Sequence, residues 1–370
     1  MLDFKSLFSS SIFSSGLFSN SKHLAGLDIG SSSLKLAEIV ESPKGGYLLN
    51  RFSQLPLPRG IIVDGIINDP SLLTAKLKEL FKTSGNLRKG IVTSLSGHSV
   101  IIKKVGFPTM EEEEMRDMIR EDAAQYLPFD NMDEVNFDFQ IIGENEYNSN
   151  QLDVLLVAAK KDIIDSYTDA LQAAGLEVVI MDVDSFALET VYEENYDFDE
   201  DDIVALVNIG ASITNINVVR NDASIFTRDF TLGGNTITES LSERLGVSFD
   251  EAERIKIEGP EGSGLDANEF ALTLMEYAEP ICAEIERSIE FFRSTFGGDY
   301  IKNVLLSGGG AKLPGIAQDL HQRLGVDTEV FNPFQKIAIN NKNVDASLVE
   351  QIGPALAVSM GLALRRVEDK

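Results

Sequence analysis

Two segments of this chain share a pattern suited to binding phosphate. Leu27-Asp28-Ile29-Gly30-Ser31-Ser32-Ser33-Leu34-Lys35-Leu36 and Val207-Asn208-Ile209-Gly210-Ala211-Ser212-Ile213-Thr214-Asn215-Ile216 align without a gap. Each reads as a strand, a turn of glycine and small residues, and a second strand. Backbone N–H groups at such a turn point outward, and a glycine has no Cβ to hold an anion away from them. A third glycine element, Leu305-Leu306-Ser307-Gly308-Gly309-Gly310-Ala311-Lys312-Leu313-Pro314, follows late in the chain. Duplicated hairpin turns plus a late strand and triple-glycine turn predict two similar domains closing on one nucleotide.

No other constellation competes with these turns. His23, His98 and His321 lie far apart in sequence, and no Walker A, G-x-G-x-x-G or G-x-S-x-G pattern occurs. Cys282 is the only cysteine, so no intrachain disulfide can form and a reducing compartment fits. Ile281, Ile285, Ile289 and Phe292 share a helical pattern with it, which predicts a buried thiol that packs as a small hydrophobe. The 59 acidic residues outnumber the 32 lysines and arginines, for a net charge of -27. Neutralising a phosphate backbone needs clustered cations, so nucleic-acid binding is excluded as a main task. An acidic surface also gains nothing from anionic lipid. No run of 18 apolar residues occurs, and no transmembrane helix is expected.

A chain of 370 residues should hold about two domains. Residues 1–21 repeat Phe and Leu among serines at a spacing that fits neither a helix face nor a strand face. They are expected to form a flexible tail or a short anchor for a partner or membrane surface. Residues 22–99 are expected to form the first part of one domain. A compact β-α-β-β-α-β module at 100–181 follows, with Thr109 capping a helix to Tyr126 and Glu177 to Asp182 as its last strand. Residues 182–200 return to the first domain and end in an acidic linker. The second domain spans 201–345, with a helical subdomain at about 236–300, and residues 346–370 form a C-terminal helix that returns to the first domain.

The motif order resembles the actin, Hsp70 and sugar-kinase ATPase superfamily. The resemblance rests on Asp28-x-Gly30-Ser31 with Lys35, the matching Asn208-x-Gly210, the helix Glu253-Arg254-Ile255-Lys256, and Gly308-Gly309-Gly310. It implies two RNase H-like domains around a cleft that binds ATP with Mg²⁺. By resemblance, Asp28 organises Mg²⁺ directly or through water, because a hard cation needs an oxygen anion beside the phosphates. Gly30, Ser31, Ser32 and Ser33 supply phosphate donors, and Lys35 neutralises the same groups. Gly210, Ala211 and Ser212 clamp the phosphates from the other side. Gly233-Gly234 and Gly308 to Gly310 let backbone approach the sugar and adenine, and Lys312 lays its stem on the base. Glu253 and Lys256 either bind the ribose or form a surface ion pair. Asp184 either orients the attacking water or caps a helix. Asn208 stands where the superfamily usually has a second Asp, so hydrolysis is expected to be slow or absent.

A βαββαβ module inserted before Asp182-Val183-Asp184-Ser185-Phe186-Ala187 is similar to the branch that holds the cell-division protein FtsA and the type IV pilus family PilM. The wording of the glycine segments, Gly308-Gly309-Gly310-Ala311-Lys312-Leu313-Pro314-Gly315 among them, is nearer PilM. The residues from Arg365 to Lys370 are too short and too acidic for the amphipathic membrane helix that ends FtsA-like chains. The resemblance implies a cytoplasmic scaffold of the pilus machine at the inner membrane. It would hold the N-terminal cytoplasmic tail of the membrane protein PilN and support twitching motility. Pilus motor ATPases, other inner-membrane platform proteins and self-association complete the implied partners. The alternatives are an FtsA-like filament-forming cytoskeletal protein and a small-molecule kinase of the same superfamily.

Overall fold

The computed structural model describes residues 24–366 apart from 86–88, 130, 146–147, 200–201, 221–222, 262 and 296–299. The expected N-terminal tail, His23 and the side chain of His98 lie outside the described residues.

Two sheets share one plan. The first is built from β1 (Ala25–Ile29), β2 (Ser33–Glu41), β3 (Tyr47–Pro56), the short pair β4 (Ile62–Val63) and β5 (Ile66–Ile67) with helix α1 (Pro70–Ser84) as a connection, and β6 (Gly90–Leu95). Next come β7 (Val100–Pro108), α2 (Glu112–Tyr126), β8 (Val135–Asn145), β9 (Asn148–Lys160), α3 (Lys161–Ala173), β10 (Glu177–Val183) and α4 (Asp184–Asn195). The second half runs β11 (Ile203–Ile209), β12 (Thr214–Arg220), β13 (Ala223–Phe230), α5 (Gly234–Leu245), α6 (Phe249–Glu258), α7 (Ala267–Thr295) and β14 (Ile301–Ser307). It closes with α8 (Ile316–Leu324), β15 (Asp327–Val330), β16 (Ala338–Ile339), α9 (Ala346–Ile352) and α10 (Ala357–Leu364).

The strand orders are β10-β6-β1-β2-β3-β16 and β13-β12-β11-β14-β15. In both sheets an antiparallel meander is extended by strands that run parallel to its first member. Every residue of β1 is buried, as a strand covered on both faces must be. Helices α1 and α3 cover the outer face of the first sheet with Leu73, Leu77, Leu80, Tyr167 and Leu171. Helices α5 to α8 cover the outer face of the second through Leu241, Ile255, Cys282 and Leu320. Cys282 is fully buried in that core, as its helical neighbours predict.

The inner faces of both sheets meet on α4 and α10. One hydrophobic cluster joins Ile39 and Leu49 of the first sheet, Leu188 and Val191 of α4, Leu206 and Leu305 of the second sheet, and Met360 and Ala363 of α10. Ala346–Leu364 is long and apolar enough to span a membrane, yet its second half, α10, is buried throughout between the two sheets, while α9 lies largely at the surface. The approach of α10 is closer than side chains permit. A Cβ on Gly361 would lie 1.7 Å from the Ala187 carbonyl oxygen of α4.

A third sheet, β7-β9-β8, is packed on one face by α2 through Phe107, Met115, Ile119 and Leu156. Its other face sets Leu155 and Val157 against Val183 and Phe186 at the start of α4. The strand expected as the last of a βαββαβ module does not join this sheet. β10 pairs in parallel with β6 in the six-stranded sheet, and α3 belongs to the first core. The physical reason is burial: Ile164 and Leu171 of α3, with Met181 of β10, complete the apolar layer that α1 leaves open. Thr109 does not cap α2 either. Its N–H donates to the Asn150 carbonyl, and the helix starts at Glu112 with Met115 N–H bonded to Glu111.

The α4–α10 contact makes a direct expectation. Gly361→Ala should cost about 1–3 kcal/mol or more in urea unfolding, because backbone on both sides must move to admit one methyl. A loss below about 0.5 kcal/mol would show that the two helices are not held at that separation.

Candidate functional site

The two glycine turns are closed by the same backbone hydrogen bond. Gly30 N–H donates to the Ser33 carbonyl at 3.1 Å, and Gly210 N–H donates to the Ile213 carbonyl at 2.9 Å. The antiparallel register places Asp28 opposite Lys35 and Asn208 opposite Asn215. The side chains of each pair are bonded across the ladder. Lys35 Nζ donates to Asp28 Oδ2 at 2.7 Å, and Asn208 Nδ2 donates to Asn215 Oδ1 at 3.1 Å. One half therefore carries an ion pair where the other carries a pair of neutral amides.

The members of the first turn differ in exposure. Gly30 and Ser31 are half-buried and Ser32 is exposed. Ser33 is buried, and its hydroxyl accepts from Gln54 Nε2 at 3.3 Å, while the Ser32 carbonyl accepts from Leu57 N–H. Ser33 is thus held against β3 as an acceptor. Asp28 is 8% exposed, and its Oδ1 lies beside the open Cα of Gly30.

The second turn is held from below by α5. Gly234 N–H donates to the Gly210 carbonyl at 2.9 Å, and Asn235 N–H to the Ala211 carbonyl at 2.8 Å. Asn235 Nδ2 also donates to Ser212 Oγ at 3.0 Å. Gly233 and Gly234 are both buried and brace this turn. Lys256 Nζ reaches the same place from α6. It donates to the Gly234 carbonyl at 2.9 Å and to Thr238 Oγ1 at 2.7 Å, and pairs with Glu253 at 2.7 Å. Glu253 also accepts from the Thr238 hydroxyl. Burial pushes the Lys256 ammonium below its ordinary range, against the pull of Glu253. Glu253 and Lys256 are therefore a brace between α6 and α5, with Glu253 still half-buried at the surface.

The triple-glycine turn closes over the end of β11. Gly308 has φ +83°, and a Cβ there would lie 2.3 Å from the Ile209 carbonyl oxygen. A Cβ on Gly310 would lie 2.3 Å from Ile209 Cγ2, whereas one on Gly309 would meet nothing within 4 Å. Gly308 and Gly310 serve packing within the protein. Gly309 and Lys312 are the exposed members.

Asp184 lies in the first turn of α4, and Val183 occupies the cap position. Ser94 Oγ donates to Asp184 at 2.5 Å. Burial first, and then the charge of Asp28, push its carboxyl up to about 7, with Asp229 of β13 acting in the same direction. Asp28, Asp184 and Asp229 thus share one electrostatic neighbourhood drawn from both halves. Gly97 N–H, just after β6, donates to Asp229 Oδ2 at 2.7 Å. Arg59 pairs with Glu239 of α5 and lies 4.3 Å over the Phe249 ring of α6. Ser94, Asp229 and Arg59 carry no motif and were not legible in sequence. They are contacts between segments far apart in the chain.

The sequence profile of the family described as type IV pilus assembly protein PilM matches residues 26–367. In the solved PilM-PilN type IV pilus biogenesis complex, a chain 30% identical to this one superposes with a TM-score of 0.82, covering 93% of this chain and 98% of that one. Cell division protein FtsA of Bacillus subtilis (strain 168) is 30% identical over 189 residues, a stretch of 45% of this chain and 42% of that protein, so less than half the relative is spanned. MreB5 of Spiroplasma citri bound to ADP shares the fold at 11% identity and a TM-score of 0.51, covering 92% of this chain and 95% of that one. The duplicated sheets and hairpins are those of the actin-like ATPase fold, and the chain belongs to the PilM family of type IV pilus assembly proteins.

Proposed function

We propose that this chain is an ATP-binding scaffold at the cytoplasmic face of the inner membrane, where it holds the N-terminal cytoplasmic tail of PilN within the pilus machine and so supports twitching motility. The observation that carries the nucleotide reading is the duplicated hairpin. Two turns of equal geometry stand on equivalent strands, and an Asp28–Lys35 pair accompanies one of them. When bound, Mg-ATP would supply the charge that both halves answer. Asp28 Oδ1 faces the turn at Gly30, and Lys35 already balances Oδ2. Among the described residues no three acidic, histidine or cysteine side chains gather to hold a metal alone. That fits an ion carried in on phosphate and water with a single carboxylate beside it. Ser31, Ser32, Ala211 and Ser212 would bind phosphate at turns that the Gly30 and Gly210 N–H groups close, and Gly309 and Lys312 would meet the base. Gly233, Gly234, Glu253 and Lys256 would hold the second turn in place.

Turnover would be slow. Asn208 adds no second carboxylate that could organise the metal ion or accept a proton. The nucleotide would act as a lasting structural ligand that sets the relation of the two halves. The PilN tail would lie where the three-stranded sheet meets the first domain, at the rim of the buried contact of Leu155 and Val157 with Phe186. The complex of a 30% identical PilM with PilN supports that partner. The pilus motor ATPases are further candidates for contact.

Mg-ATP at a hundredfold over its Kd should stabilise the protein by ~2.7 kcal/mol. That should raise Tm by a few degrees in a chain of this size. Lys35→Ala should lose most of the rise. Gly309→Ala, which meets no atom in the free protein, should leave the unliganded Tm within about a degree and still weaken the nucleotide effect. No shift with Mg-ATP in the wild type would remove the nucleotide reading.

A synthetic peptide of the PilN cytoplasmic tail should bind saturably in fluorescence anisotropy. In hydrogen exchange it should slow the amides of β7, β8 and the first turns of α4. Protection confined to the second half would place the partner elsewhere.

A further inference from the structure

Seven buried side-chain polar atoms among the described residues have no hydrogen-bond partner in the protein. Four of them sit at one interface, where α4 lies on the inner face of the second sheet. They are Ser185 Oγ and Glu189 Oε1 of α4, and Asn215 Nδ2 and Asn217 Oδ1 of β12. All four residues are 3% exposed or less. Ser185 and Glu189 are one helical turn apart, and Asn215 and Asn217 share one face of their strand. The group continues the Asn208–Asn215 amide pair, so a file of buried polar side chains runs from the second phosphate turn into the joint between the halves.

Glu189 is the only ionisable member of that file. Its Oε2 accepts from Asn217 Nδ2 at 3.2 Å and from the Ser224 hydroxyl of β13. Asn217 Nδ2 also donates to the Ser185 carbonyl at 3.0 Å. The charged groups that face it are Arg365, just past α10, and Asp182 of β10, and these two bind each other at 2.6 Å. The nearest cation is therefore already balanced, and Glu189 has two neutral donors on one oxygen and none on the other. An ionised carboxylate in that setting is costly. A neutral carboxyl has an O–H to give, and Ser185 Oγ and Asn217 Oδ1 are acceptors without a protein donor.

We propose that Glu189 is a proton-binding site of the joint between the two halves, neutral while α4 is packed on β12 and β13 and ionised once the seam opens to water. Opening of the seam then releases one proton, and the packing of the halves weakens as pH rises. Burial pushes this carboxyl from its ordinary 4.5 up to about 7, with Asp182 acting in the same direction and Ser224, Asn217 and Arg365 opposing. The sign follows. Below 4.5 open and closed states both hold the proton. Between 4.5 and about 7 only the closed state does, so opening becomes easier with each step in pH. Above about 7 neither holds it, and the dependence levels off.

The test is hydrogen exchange on the full chain from pH 5 to 8, corrected for intrinsic exchange rates. Asp184 of the same helix is also raised to about 7 by burial, so in the wild type the opening constant of α4 and β12 amides should rise between about tenfold and a hundredfold per pH unit up to about pH 7 and then flatten. Glu189→Gln keeps the shape and cannot ionise, so its slope over the same window should fall by about one proton. Equal slopes in the two proteins would overturn the proposal. Should Glu189→Gln fail to fold, infrared spectra of wild type carrying carboxyl-¹³C glutamate decide it. A glutamic acid C=O band that disappears with a midpoint near 7 supports the site, and the absence of any glutamate band above pH 6 overturns it.

Discussion

Everything else in this molecule depends on two helices meeting without a side chain between them. α4 and α10 lie between two sheets of the same design, and the Gly361 backbone touches the Ala187 carbonyl. Helices normally sit 8–10 Å apart because side chains separate them. Removing one Cβ lets α10 press against α4 and β1 together, and the same cluster then collects apolar residues from both sheets. The spacing of the sheets, and with it the spacing of the two glycine turns, is set at this joint.

The two halves are alike in backbone and unlike in charge. Asp28 and Lys35 occupy the positions that Asn208 and Asn215 occupy in the second half, with the same register and the same cross-strand bond. A buried ion pair with one free carboxylate oxygen can answer a metal ion. A pair of amides can offer hydrogen bonds at no net charge. The first half thus carries its charge beside the turn, and the second half ties its turn down through Asn235, Gly234 and Lys256. Contacts from Gly97 to Asp229 and from Arg59 to Glu239 then join the halves across the site.

The joint is more polar than its role in packing requires. Apolar side chains fill most of it, yet Glu189, Asn217, Ser185 and Ser224 are buried beside them. A fully apolar seam of equal area would hold the halves more firmly. Polar groups with unmet hydrogen-bonding capacity make the closed arrangement conditional.

Much was legible in the residues alone. The paired glycine turns, the strand on each side of them, the late triple glycine and the buried helical face around Cys282 are local patterns, because period, turn chemistry and composition act over a few residues. They gave the family and the two-domain plan. What lay outside their reach was decided by contacts between distant segments. Ser33 reads as one of three like serines, and register alone brings Gln54 to its hydroxyl. Gly308 and Gly310 match a ligand-binding pattern, and only the fold shows that packing also needs them bare, because Ile209 takes the space a Cβ would need. Glu253 and Lys256 have the spacing of a surface pair, and the arrival of α5 turns them into a brace. β10 completes a local βαββαβ order, yet the open edge of β6 captures it. Glu189 carries no signal at all, since a carboxylate becomes a proton site only when two sheets bury it. Sequence determined which groups could bind phosphate; the folded structure decided which of them remain free to do so, because hydrogen-bonding capacity and space are used first by the protein itself.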